Sequence, residues 1–170
     1  MANKTIELVK SPTIHVDTEW GLDHGTWSVL LPMFPNADIP VYQLSIDYSK
    51  PPQFHYNLGL ELKKLREKGV MILGSGNIVH NLGALSFSGK TYDWASEFDS
   101  KMKSYIDNGN HQGVVDFQSL GSISRMAHPT YDHFIPLLYI LALSDNNENI
   151  NYFNESFDLG SISMRSLVIS

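Results

Sequence analysis

The feature that most constrains the fold is a series of signals running from Pro51 to His80. Pro51 and Pro52 open a segment in which Leu58, Leu62 and Leu65 recur at spacings of four and three, the period of one helical face. Gly69 supplies the stop expected after a last helical turn, at about Lys68. Val70 to Leu73 is a continuous apolar run, as in a strand covered on both faces. Gly74-Ser75-Gly76 then forms a tight loop. Helix, glycine, buried strand and glycine loop in succession specify an α/β domain, in which ligands bind beyond the carboxyl ends of the strands. His80 stands at that place.

The rest of the chain can be fitted around this unit. Asn3 to Lys10 reads as a helix ended by Ser11-Pro12, and Thr13 to Asp17 alternates like a short strand. His24-Gly25 begins a loop leading into the apolar segment Trp27 to Phe34, and Val41 to Ile46 reads as a strand. Tyr92 to Ile106 is an amphipathic helix with Trp94, Phe98, Met102 and Tyr105 on one stripe, a core pattern. Asp132 to Leu143 is a strongly apolar helix with Pro136 in its first turn, followed by a polar turn at Asp145–Asn149. Tyr152 to Phe157 and Ser161 to Ile169 read as a terminal strand pair. His111 to Arg125 carries no clear pattern, and no repeat or linker divides the 170 residues into two domains.

Composition removes several classes of function. The net charge of -6, with no basic cluster beyond Lys63-Lys64-Leu65-Arg66, excludes a nucleic-acid footprint. No stretch approaches the ~20 apolar residues of a membrane span, and the N-terminus has no apolar signal core. These features point to a cytoplasmic protein. The absence of cysteine leaves histidine and carboxylates as the metal ligands available.

Three of the seven histidines stand at junctions between a loop and an apolar element: His24, His80 and His133. Loops held by a rigid scaffold carry most active-site side chains. Imidazole is both a frequent metal ligand and a group that titrates near neutrality. The set therefore reads as a metal or acid–base centre on one cleft, with Asp23, Asp47 and Asp132 as candidate carboxylates. Asp23 and Asp132 each precede a featured histidine, so helix capping or orientation of the imidazole are equally open to them. His128, before Pro129, is a weaker candidate, and His15, His55 and His111 read as surface or structural. The glycines around Ser75 make neither a phosphate loop, which needs a following Lys-Ser/Thr, nor a Gly-x-Ser-x-Gly nucleophile elbow.

Several stretches carry a family resemblance: Trp20-Gly-Leu-Asp-His-Gly-Thr-Trp27, Ala37-Asp-Ile-Pro-Val-Tyr-Gln-Leu-Ser-Ile-Asp47 and Ser75-Gly-Asn-Ile-Val-His-Asn-Leu82. Pro129-Thr-Tyr-Asp-His133, Pro136-Leu-Leu-Tyr139 and Gly160-Ser-Ile-Ser-Met-Arg-Ser166 complete the set. In order and spacing these resemble the 4,5-DOPA dioxygenase extradiol family, class III extradiol ring-cleavage dioxygenases of the LigB type. The resemblance implies a single α/β domain of three layers, a central mixed sheet flanked by helices. It implies opening of a catechol-type ring by O2 at a non-haem divalent metal, iron(II) for activity with zinc able to occupy the same site. His80 and His133 match metal-binding positions. His80 also matches an acid–base position, and His24 matches an acid–base or substrate-contacting histidine.

The Gly-His-Gly-Ser-Pro and Ser-Ala-His-Trp motifs of the family, whose histidines are further metal ligands in the resemblance, are not in this sequence. The expectation is that residues 1–170 are the C-terminal two-thirds of such a domain, truncated at the N-terminus. Such a chain would be inactive unless an N-terminal complementing fragment supplies the missing donors, and the sheet edge left exposed would make it prone to association, as in a homo-oligomer. The alternatives are a non-catalytic remnant acting as an interaction module, and a zinc-dependent hydrolase built on His80, His133 and a carboxylate. The absence of a His-Glu-x-x-His helix counts against the hydrolase.

Overall fold

Ile135–Ala142, helix α7, is apolar on every side, and a helix of that kind must be covered on every side. The computed structural model, which describes residues 2–145 and 147–170, packs helices α3 (Pro52–Leu62) and α5 (His111–Val115) against it. Met1 and Asn146 lie outside the described residues, Asn146 within the polar turn expected at Asp145–Asn149. Phe134, Leu138 and Leu141 enter one core with Phe98, Met102, Ile106, Val114 and Phe117. Ile135, Tyr139 and Leu143 enter a second with Val9, Leu58, Leu62 and Leu65. Spacings of three and four within each set place each on its own face of the helix.

Helix α1 (Ala2–Leu8) and helix α3 (Pro52–Leu62) build the second core. Helix α3 continues as a 3-10 turn, Lys63–Lys68, and ends at Gly69 in the left-handed conformation, φ 73°. Helix α4 (Asp93–Asp107) turns Phe98, Met102 and Ile106 into the first core, with Trp94 and Tyr105 on its margin. The unpatterned stretch from His111 is two short helices, α5 (His111–Val115) and α6 (Ser122–Ala127), joined by a 3-10 turn. The C-terminal residues form β1 (Ile150–Phe153), β2 (Phe157–Asp158), β3 (Ile162–Ser163) and β4 (Ser166–Ile169). Strand β1 pairs antiparallel with β4, and β2 with β3.

The α/β character holds, but the central mixed sheet is not assembled among the described residues, whose sheets are the two antiparallel pairs. The strands expected at 13–17, 41–46 and 70–73 run without a ladder. Among the described residues the backbone groups of 38–46 and 71–76 make no hydrogen bond to other backbone. A strand is stable only when its N–H and C=O groups find a partner strand, and here none is offered. The segment 70–73 is accordingly not buried on both faces: Met71 is 68% and Leu73 48% exposed.

A second correction concerns His24. It begins helix α2 (His24–Met33) rather than a loop, and Asp23 is the N-cap, its carboxylate accepting from Thr26 N at 2.8 Å. None of α2's residues is buried, although five of its ten are hydrophobic.

Candidate active site

Residues 77–81, which carry His80, are held from two sides. Ser163 N donates to Val79 O at 3.0 Å and Asn81 N to Ser161 O at 3.2 Å, while Ile162 bridges to His80. On the other side His80 N donates to Ala127 O at 2.9 Å, and His128 Nε2 lies 2.6 Å from Ile78 O. Ile78 and Val79 are buried, so the backbone entering His80 is fixed by packing as well as by hydrogen bonds.

His133 lies in the turn before α7, and its carbonyl accepts from Asn77 N at 2.9 Å. Gly76 is pressed against the same carbonyl, where an added Cβ would sit 2.1 Å from the oxygen. This close approach is the reason for glycine at 76. It draws the two histidine-bearing segments together, and the His80 and His133 rings stack with centroids 3.6 Å apart and planes 15° from parallel.

The pair is half-buried, and Asp132 Oδ2 lies 3.8 Å from His133 Nε2. Burial, reinforced by the neighbouring His133, pushes the His80 pKa below its ordinary value, with Asp132 pulling the other way. Burial raises the Asp132 pKa, but the Thr130 hydrogen bond and the two imidazoles outweigh it and leave the carboxyl below its ordinary value. At neutral pH the site therefore presents a neutral imidazole at His80 beside an ionised Asp132.

His24 is exposed and makes no ring contact with this pair among the described residues. It is not remote, however. A Cβ on Gly25 would lie 3.6 Å from Ser75 Oγ, so loop 74–76 separates the first turn of α2 from His133. Gln43 fastens that turn: its Nε2 donates to Asp23 Oδ2 at 2.7 Å, and its Oε1 accepts from Asp23 N and Thr26 Oγ1, both at 3.0 Å.

Imidazole nitrogens suit iron(II) and zinc. His80 and His133 are two such donors brought into contact, with the Asp132 carboxylate beside one of them, but rings stacked nearly parallel do not direct their in-plane lone pairs at a common point. Two imidazoles would in any case be only part of a shell, since catalytic zinc sites, for example, use three protein ligands and an open position. Among the described residues no three His, Asp or Glu side chains are grouped to hold an ion. Asp47 caps its own turn, accepting from Ser49 N and Oγ.

The remaining histidines have structural settings. His128 is 5% exposed, enclosed by Phe98, Phe117 and Phe134, and burial lowers its pKa to about 4. His55 is fully buried with Nδ1 3.0 Å from Tyr139 Oη, and His111 Nδ1 lies 3.0 Å from Tyr56 Oη.

The family model described as the catalytic LigB subunit of aromatic ring-opening dioxygenase matches residues 1–164, and the chain belongs to this family of oxidoreductases. It is 40% identical to the 4,5-DOPA dioxygenase extradiol of Escherichia coli K12, over 99% of this chain and 64% of that protein. With the 4,5-DOPA dioxygenase extradiol of Beta vulgaris the identity is 34%, over 98% and 63%. The chain thus spans somewhat less than two-thirds of these relatives. A crystal structure of an uncharacterized Escherichia coli K12 protein superposes with a TM-score of 0.85 at 36% identity, covering 98% of this chain and 70% of that one.

The sequence reading missed Asp99, a carboxylate 2% exposed on the buried face of α4 that receives Ser163 and Arg165. Its signal was a charged residue directly after Phe98 on a core stripe. Among the described residues no helix is long and apolar enough to cross a membrane.

Proposed function

We propose that this chain supplies part of the active site of an extradiol dioxygenase that opens a catechol-type ring with O2. The observation that carries the reading is the stacked His80–His133 pair in a LigB-family domain. His80 and His133 would hold a non-haem divalent metal, iron(II) for turnover, whose charge would favour the catecholate and which would pass electrons towards O2. The remaining protein donors would come from a segment bearing the Gly-His-Gly-Ser-Pro and Ser-Ala-His-Trp motifs, which residues 1–170 do not contain.

The chain's own groups have defined tasks. A neutral His80 is competent as a nitrogen donor or as the acceptor of a catechol hydroxyl proton, because its pKa is depressed. Asp132 holds negative charge beside His133 and favours its orientation. His24, on the far side of loop 74–76, would exchange a proton with a substrate lying over that loop. The open face of 38–46, 71–76 and α2 is the surface that the motif-bearing segment would cover, adding strands to the unpaired backbones.

Oxygen uptake with iron(II) and L-DOPA tests this reading. The chain alone is expected to show none, because small misplacements of reacting groups cost orders of magnitude. Addition of a fragment carrying the two motifs should restore uptake and a yellow ring-opened product, and His80→Ala should abolish both. Turnover by the 170-residue chain alone, lost in His80→Ala, would show that its own residues complete the metal shell.

A further inference from the structure

The segment bearing His80 rests on β3, so whatever anchors β3 also sets the position of His80. Four contacts tie the two segments together. They are Ser163 N to Val79 O at 3.0 Å and Asn81 N to Ser161 O at 3.2 Å, which together make the Ile162–His80 bridge, then Asn77 Nδ2 to Ser163 O at 3.0 Å and Ser161 Oγ to Asn81 O at 2.8 Å. Strand β3 is in turn anchored to α4 through the Asp99 carboxylate. Asp99 Oδ1 accepts from Ser163 Oγ at 2.6 Å, and Asp99 Oδ2 accepts from Arg165 Nε at 2.9 Å and Nη2 at 2.6 Å. Arg165 Nη1 is capped by Glu155, and the Tyr152 ring lies 5.5 Å from the guanidinium.

A carboxylate this deeply buried is costly to desolvate, and an apolar pair of equal volume often serves stability as well. What an apolar pair cannot do is fix the register of a two-residue strand. The two-pronged geometry of Arg165 on Asp99, with Ser163 as a third contact, does so.

We propose that Asp99, acting through Ser163 and Arg165, is a positioning residue for His80 that holds its ring face to face with His133. The catalytic meaning of that alignment rests on the dioxygenase reading above, but the alignment itself is measurable without metal, substrate or turnover.

The test is proton NMR of the full chain with ¹⁵N-labelled histidine, observing cross-peaks between the His80 and His133 rings and the His80 ring-current shift. In Asp99→Asn and Arg165→Met the cross-peaks should be lost and the His80 signals should move. Arg165→Lys, which keeps the charge but not the fork, should restore them in part. Leu62→Ala, a cavity in the other core, is the control of comparable destabilisation and should leave both rings unmoved. If Asp99→Asn fails to fold, Ser163→Ala removes the Asp99–β3 hydrogen bond alone and should weaken the cross-peaks. Folded Arg165→Met and Ser163→Ala chains with unchanged His80–His133 signals would overturn the proposal. Moved ring signals in a protein whose complemented wild type consumes no oxygen would leave the positioning role intact and defeat the dioxygenase reading instead.

Discussion

Two regions of the molecule differ in how completely they bury themselves. Around α4, α5, α6 and α7, Phe98, Phe117, Phe134 and Leu138 are at most 1% exposed. Around α2 and the extended segments, Trp20 is 76%, Met71 68% and Leu31 60% exposed. The His80–His133 pair lies on the boundary, with Val79 and Phe134 on the closed side and loop 74–76 on the open one. Exposed apolar surface on this scale marks an interaction site. The closed region fixes where the imidazoles stand, and the open region leaves unpaired backbone and exposed apolar side chains beside them.

Mutations should break along this line. Phe134→Ala should cost about 3–5 kcal/mol in urea unfolding, as for a large aromatic removed from a close-packed core. Acidification should come next. Unfolded His128 takes up a proton below about pH 6.5, whereas the native imidazole does so only near 4. The unfolded state thus binds more protons in this window, and stability should fall as pH drops through it, by roughly 3 kcal/mol from this group. His55, His80 and His111, whose pKa values are also lowered by burial, add in the same direction. In His128→Gln the dependence of the urea midpoint on pH should be shallower but not flat.

Gly76→Ala sharpens the comparison at the boundary. Its methyl would meet the His133 carbonyl, and displacing that backbone should cost about 1–3 kcal/mol and separate the two rings, read by unfolding and by NMR. In the open region, Asp23→Ala removes the cap of α2 and should cost about 1 kcal/mol of local helix stability, read by amide exchange at Thr26. Met71→Ser should change the stability of the isolated chain by less than about 0.5 kcal/mol, yet weaken assembly with a complementing fragment.

The same division decides what the sequence made legible. Helices α3, α4 and α7 follow from local periodicity, and the left-handed Gly69 ends the first of them as expected. The apolar runs at 41–46 and 70–73 have strand composition, but a ladder depends on a partner that composition does not name. The junction positions of His80 and His133 single them out in the sequence. Their contact depends on Gly76 packing against a carbonyl far along the chain, which no local pattern encodes. His24 was read as a loop because the Asp23 cap was weighed only as an alternative. Asp99 went unseen because its partners arrive from the C-terminal strands.

The central claim is that the segment bearing the two further histidine motifs completes the open face beside the histidine pair. Hydrogen exchange of the backbone amides of 41–46 and 71–76 tests it most directly. The account predicts rapid exchange in the monomeric chain and strong protection once the fragment bearing the two histidine motifs is bound, with α4 and α7 protected throughout. Strong protection of those amides in the monomer, or none in a complemented protein that consumes oxygen, would contradict it.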